Sequence, residues 1–341
     1  MLETIWFVLW TLLWAVYFVL DGFDLGLGVL MPALSKNEEE RRTIYNASGP
    51  FWDGNEVWLI AAGGVTFAAF PTVYAVMFST LYAPLLLLLF ALILRAVSYE
   101  FRNKVDSPVW RALWDWVHFI VNLAACVLLG VFFANLFMGI PFDADGVYQG
   151  NLLKLLNIYG LAGGLFFLAA FMMHGAIWLT IKSRGELQTK ALAAAGLCWV
   201  AVAVLLIVFL VLTFFCTGIF ANYLRMPWLI VLPALAVAAL LMVPRLLNKG
   251  QTWLAWGASA LFLVCVTFFG VMGIYPSMLI SSIDPAATLT AFNGASTTNT
   301  LEIMLVVALV MVPIVLVYQF WMYRLFSKPV SRDDLDSDHA Y

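Results

Sequence analysis

The stretch Ala191 to Phe215, ALAAAGLCWVAVAVLLIVFLVLTFF, runs for 25 residues without one charged side chain. As an α-helix it would be about 37 Å long, more than the roughly 30 Å hydrocarbon core of a bilayer. Its apolar residues are continuous rather than alternating, which excludes a membrane β-barrel and leaves a helix that satisfies its own backbone groups in lipid. Working outward, the same pattern recurs along the chain. Hydrophobic residues make up 64% of 341 positions and charged residues 11%, against about 25% charged in a soluble domain. Too little polar surface remains to coat a water-soluble particle. The net charge of −3 decides little, because the field of a membrane protein depends on where its charges sit. No basic patch suggests nucleic acid.

Apolar runs read against Gly, Pro and charge punctuation predict nine spans, near residues 5–31, 50–70, 73–102, 112–138, 156–182, 190–220, 227–247, 253–275 and 300–327. They form a single transmembrane domain, 1–327. The first run has no basic residue ahead of it and no small-residue cleavage site, so it reads as a retained helix rather than a signal peptide. Of the 17 Lys and Arg residues, all but Lys154, Arg225 and Arg95 fall in loops on one side, among them Lys36, Arg41, Arg42, Arg102, Lys182 and Lys249. Positive charge is retained in the cytoplasm, so the N-terminus is expected outside and the C-terminus inside, as nine spans require. Residues 328–341, with Asp333, Asp334, Asp336 and Asp338, read as an acidic, solvated cytoplasmic tail. The outer loop 276–299 reads as a connector, and Trp321 and Tyr323 as interfacial anchors. Cys126, Cys198, Cys216 and Cys265 lie in apolar segments and read as small core residues. Gly22/Gly26 and Gly160/Gly164, each four apart, permit close helix contact.

Charges inside spans are the informative residues, because each costs about 2.5–3.5 kcal/mol at a helix centre on insertion scales. Asp21 and Asp24 share a face of the first span. Asp53 and Glu56, beside Trp52, open the second, and Arg95 lies in the third, two turns before its cytoplasmic end. All sit in the cytoplasmic half, and short loops join the three helices, so they are expected to meet in one polar cluster. Four carboxylates against one guanidinium leave negative charge that desolvation and repulsion disfavour. Protonation or hydration would relieve it, which suits a path for protons. The bland reading is a buried bridge from Arg95 to Asp21 or Asp24 that fixes helix packing. His118 and His174 lie at similar depth in neighbouring spans and could clamp a haem iron, but one pair without further pattern is weak evidence, and a hydrogen-bonded packing role is the expected one. His339 lies in the tail. No Walker loop, zinc spacing or nucleophile elbow is present, and no metal site is expected.

The run Asp21-Gly22-Phe23-Asp24-Leu25-Gly26-Leu27-Gly28, then Glu40-Arg41-Arg42, then Trp52-Asp53-Gly54-Asn55-Glu56-Val57-Trp58-Leu59, resembles subunit II of cytochrome bd-type quinol oxidases. Tyr99-Glu100-Phe101-Arg102, Trp114-Asp115-Trp116, Gly139-Ile140-Pro141-Phe142 and His174-Gly175-Ala176 continue the match in order, over nearly the whole chain. The resemblance implies two four-helix bundles and a peripheral helix, in the bacterial cytoplasmic (inner) membrane. It implies a complex that oxidises quinol and reduces oxygen to water, with haems b and d in a larger partner, subunit I. This chain would support and shield that subunit and bind no haem iron itself. A structural quinone in some members and small single-span accessory subunits belong to the same picture. Trp52 and Asp53 match positions associated with a proton route; Asp21, Asp24 and Arg95 match other buried polar positions. His118 is not a position where the family has a ligand. The loop Phe292-Asn293-Gly294-Ala295-Ser296 departs from a tighter Tyr-Asn-Ala-Ser run in many relatives. Two other readings use the same residues: a scaffold with no proton role, and a self-contained proton-coupled transporter, which would show repeats and helices broken at the midplane.

Overall fold

A computed structural model describes residues 1–335. Its elements are helical except for one small hairpin. In order they are α1 (Leu2–Leu34), α2 (Glu38–Ser48), α3 (Trp52–Ala69), α4 (Pro71–Thr80), α5 (Tyr82–Phe101), α6 (Pro108–Met138), α7 (Leu152–Leu155) and α8 (Ile158–Lys182). There follow α9 (Gly185–Cys216), α10 (Ile219–Arg225), a 3-10 turn at Pro227–Ile230, α11 (Val231–Asn248) and α12 (Thr252–Ile274). Strands β1 (Ser277–Leu279) and β2 (Leu289–Thr290) precede α13 (Thr298–Leu325) and α14 (Arg332–Leu335).

Among the described residues, eight helices are long and apolar enough to cross a membrane. The second expected span, α3, is a helix of 18 residues, but it falls outside those eight. Its first turns carry Asp53, Asn55 and Glu56. The expected third span, 73–102, is broken: α4 ends at Thr80 and α5 starts at Tyr82. Pro84 explains the break, since its ring collides with the carbonyl four residues back and its nitrogen has no hydrogen to donate. The Thr80 hydroxyl donates instead to the carbonyls of Val76 and Met77.

α1 is the strut on which the others lean, packing against α3, α6, α8 and α12. Absent side chains make this possible. A Cβ at Gly26 would fall 1.9 Å from the Phe171 carbonyl oxygen of α8, and one at Gly175 2.7 Å from the Phe23 oxygen of α1. Gly130 of α6 and Gly163 of α8 touch backbone to backbone in the same way. The expected contact at Gly22 and Gly26 is therefore present. Around the strut, Trp6, Trp10, Trp14, Phe18 and Phe133 fill the interior, and the Trp10 indole donates to Thr66 of α3 at 2.8 Å.

Three loop and surface expectations change. The loop 276–299 is an ordered cap: β1 and β2 pair, Ile140 donates to the Ile280 carbonyl and Ser296 to that of Ala69. The described part of the tail is tied down. The Lys182 ammonium donates to the carbonyls of Phe326 and Lys328, Arg332 pairs with Glu39, and Leu335 is buried. Its remaining acids, Asp336 and Asp338, and also His339, lie outside the described residues. Cys216 is exposed, whereas Cys126, Cys198 and Cys265 are buried; at the end of α9 nothing packs over it.

If the α1–α8 crossing holds the protein together, Gly26→Ala should cost about 1–3 kcal/mol of overpacking. Thermal unfolding of the detergent-purified protein checks this. Gly257→Ala, where an added Cβ meets nothing within 4 Å, should leave the melting temperature unchanged.

Candidate functional site

The charged residues of α1, α3 and α5 converge where the Lys/Arg-rich loops lie. Asp21 and Arg95 are both wholly buried. The Arg95 guanidinium grips Asp21 with two prongs, NH1 donating to Oδ2 at 2.8 Å and NH2 to Oδ1. Glu56 Oε2 approaches the same NH2 at 3.6 Å, an ion-pair separation too long for a hydrogen bond. Asp24 lies one turn further along α1, also wholly buried. Its Oδ2 accepts from the Asn55 amide at 2.7 Å, and its Oδ1 has no hydrogen-bond partner. Arg95 Nε and Glu56 Oε2 are likewise enclosed without one.

Three carboxyl groups and one guanidinium thus share a recess. Asp53, expected as the fourth acid, lies on the exposed face of α3. Three residues advance a helix by about 300°, so positions 53 and 56 are offset by about 60°. With Glu56 at the edge of the recess, that offset turns Asp53 outward. Trp52 is half-buried and stacks flat on Tyr99, ring centres 5.3 Å apart. Its indole nitrogen is enclosed without a partner, and the Tyr99 hydroxyl meets Ser48 at 2.8 Å.

A second charged network closes the basic end. Buried Arg102 receives Glu38 through two bonds of 2.9 Å and Asp115 at 2.7 Å. Arg41 also reaches Asp115, at 3.1 Å, and Arg102 lies 5.0 Å over the Tyr45 ring. Two cations match two carboxylates here, whereas the recess holds three carboxyl groups for one cation. Burial is the largest single influence on Glu38 and works against its charge, but the Arg102 hydrogen bonds and the nearby Arg102, Arg111 and Arg41 charges together hold that carboxyl below its ordinary range. Glu40 is held low against burial by Lys190 and Lys36 together.

The two histidines serve different neighbourhoods. His118 Nδ1 meets the Ser98 hydroxyl at 2.8 Å, with its ring against Tyr45 and Tyr99. His174 uses both nitrogens, Nδ1 to Ser259 at 2.6 Å and Nε2 to the Val19 carbonyl at 3.0 Å. Both rings thus lie in hydrogen-bonded packing contacts. Among the described residues no group of three or more His, Cys, Asp or Glu side chains could hold a metal ion.

Sequence reading missed Asn55, Gln319 and Tyr323. Tyr323, taken as an interfacial anchor, turns inward: its hydroxyl donates to Asn55 Oδ1 at 3.0 Å. Gln319 accepts from the Trp58 indole at 2.8 Å. Two polar residues four apart in the apolar run of α13 share a helical face, and that spacing was the available signal.

Comparison with known proteins accords with this picture. The family model for cytochrome bd terminal oxidase subunit II matches residues 2–326. Cytochrome bd ubiquinol oxidase subunit 2 of Bacillus subtilis is 35% identical, over 98% of both chains. Cytochrome bd-I ubiquinol oxidase subunit 2 of Escherichia coli is 33% identical, over 98% of this chain and 97% of its own. A chain in the structure of bd oxidase from Geobacillus thermodenitrificans superposes with a TM-score of 0.78 at 18% identity, covering 95% of this chain and 98% of that one. That likeness speaks for the fold.

Two outcomes test the geometry. Arg95→Leu strands Asp21 without its cation and should cost about 3–5 kcal/mol; the double change Asp21→Leu with Arg95→Leu should recover much of it, both read by thermal unfolding. Because the folded Glu38 and Glu40 carboxyls titrate below their unfolded range, their contribution is complete above about pH 4.5 and fades as pH falls through the folded values. Amide exchange over residues 37–48, corrected for intrinsic rate, should therefore be steady from neutral pH down to about 5 and rise below 4.5.

Proposed function

The chain belongs to the cytochrome bd terminal oxidase subunit II family, and from that premise we propose that it carries protons from the cytoplasm toward the oxygen-reducing site of its complex. The chain is an all-helical, multi-pass membrane subunit of a quinol oxidase complex. A subunit I partner completes that complex, and the haems b and d are assigned to that partner. Reduction of oxygen to water consumes one proton for every electron taken from quinol, so the haem site needs a proton supply through low-dielectric protein.

The observation that carries the reading is the recess: three carboxyl groups for one guanidinium, with Asp24 Oδ1 and Glu56 Oε2 enclosed and without hydrogen-bond partners. A buried carboxyl with a free oxygen beside a cation can take up and release a proton, because neither charge state satisfies all of its surroundings. In our proposal a proton arrives at exposed Asp53 beside Trp52, steps one turn inward to Glu56, and reaches Asp21 and Asp24. Arg95, bonded to Asp21, lowers the cost of negative charge in the recess. For this route the membrane sidedness is the one that positive-charge retention implies, with N-terminus outside and C-terminus in the cytoplasm of a bacterial inner membrane. α3 is then the ninth span, and α4 with α5 forms one crossing. The two bundles would be α1, α3, α5, α6 and α8, α9, α11, α12, with α13 outside them.

The structural quinone implied by the family would find an apolar groove of about 570 Å³ between α1, α12 and α13. Trp253, Trp256 and Tyr323 line it, an aromatic wall suited to a flat quinone ring. Small accessory subunits would find room on the lipid-facing sides of α9 and α13. The transporter reading gives way to family membership; a scaffold with no proton role is the remaining rival.

Steady-state quinol oxidation by complexes carrying Glu56→Gln, Asp24→Asn or Asp53→Asn separates them. Proton carriage predicts turnover lowered about tenfold, on the order of 1.4 kcal/mol in the barrier, with haem content intact. Wild-type turnover in all three would leave only the scaffold.

A further inference from the structure

Resting on the proton-route reading above, we propose that Gln319 and Tyr323 of α13 are positioning residues for Asp24, acting through the Asn55 carboxamide. The argument starts from a group that cannot reverse its role. An indole N–H only donates, so Trp58 at 2.8 Å obliges Gln319 to present Oε1. The Gln319 amide nitrogen is thereby turned to Asn55 Oδ1, at 3.4 Å. The Tyr323 hydroxyl donates to the same oxygen at 3.0 Å. With its oxygen held from two sides, Asn55 directs Nδ2 the opposite way, to the Leu20 carbonyl at 3.0 Å and to Asp24 Oδ2 at 2.7 Å. A flipped Asn55 would set oxygen against carboxylate and carbonyl, and NH2 against two donors. One orientation survives, and it delivers an N–H to one oxygen of Asp24 while leaving Oδ1 free.

A second observation shows how α13 holds this alignment. Along its whole length only Leu301 is buried, so apolar packing of α13 is sparse, and the Trp6 indole donates to the Leu301 carbonyl at one end. Further contacts fix its basic end. Lys182 donates to the carbonyls of Phe326 and Lys328 at 2.6 and 2.8 Å, and Val330 donates back to the Lys182 carbonyl. The same ammonium lies 5.7 Å over the Phe51 ring, and Phe51 packs on Tyr323 with centroids 4.7 Å apart. The strap after α13 thus sets the depth and rotation at which Tyr323 and Gln319 meet Asn55. The outermost helix of the subunit in this way sets how a buried acid of α1 is held.

The test uses the intact oxidase complex with Tyr323→Phe, Gln319→Met and, as reference, Asp24→Asn. Positioning predicts that Tyr323→Phe and Gln319→Met each lower turnover about threefold or more at unchanged haem content. Each should also displace the pH profile of turnover by roughly half a unit, since a lost donor changes the balance between the two charge states of the acid it served. Wild-type turnover and profile in both, with Asp24→Asn impaired, overturn the positioning role and leave the proton route standing. Lower turnover with an unmoved profile marks a packing defect and overturns it as well. An Asp24→Asn complex that behaves as wild type removes Asp24 from the route, and with it the acid that these residues would serve.

Discussion

Everything in the polar interior depends on the grip of Arg95 on Asp21. Neither side chain touches solvent, and a lone ion in that position would face a desolvation penalty of several kcal/mol. Paired through two hydrogen bonds, they are mutually tolerable. The pair joins α1 to α5 across the break between α4 and α5, and it sets the electrostatic condition for what lies around it. Glu56 at 3.6 Å is near enough to feel the guanidinium and too far to be satisfied by it. Asp24, one turn away on α1, has Asn55 for a partner rather than a cation. A charge-matched structural network would look like the one around Arg102, where two cations and two carboxylates close upon each other. The recess has the same ingredients with the ratio upset, and the proposed proton route rests on that imbalance.

Close packing makes the imbalance affordable. Glycines at 26 and 175 bring the backbones of α1 and α8 into contact. His174 lies in that same contact, spending both ring nitrogens on Ser259 and the Val19 carbonyl. α1 is therefore fixed from behind while it presents Asp21 and Asp24 forward. A strut with side chains at those positions would stand away from α8, and the acids would have room to rotate from their partners.

The rough limits of most long helices were legible because unbroken apolar runs have few other uses, whereas the number was not: eight qualify among the described residues where nine were expected. The glycine contacts were legible too, as was the meeting of Asp21, Glu56 and Arg95, since charges in apolar helices must find one another. What escaped reading depended on rotation and on distant chain segments. Asp53 and Glu56 share a face only to within about 60°, and which of them turns inward is decided by the neighbour they meet. Asn55 was quoted as part of a motif without a role, because its partners Gln319 and Tyr323 lie more than 260 residues away. Tyr323 near a helix end looked like an interfacial anchor because pattern alone does not say which side of α13 faces protein. The described tail acids Asp333 and Asp334 are exposed as their residue type suggests, whereas the Lys182 bonds to nearby backbone carbonyls leave no trace in residue type.

The outward position of Asp53 follows from the same physics. On α3 it heads an exposed stripe that continues through Val57, Ile60 and Phe67, with Gly54 and Gly64 open beside it. Such a stripe is apolar enough for hydrocarbon except at its first turn, and its glycines leave shallow notches that lipid chains fill poorly and another helix fills well. A carboxylate at that first turn is tolerable only at the membrane surface or against polar protein. On the proposed sidedness the basic end of α3 is such a surface. One face of a single short helix therefore carries an exposed apolar stripe, and the adjoining face carries Glu56 into the recess. On the proposed route, the edge between those two faces is where a proton would pass from Asp53 to Glu56.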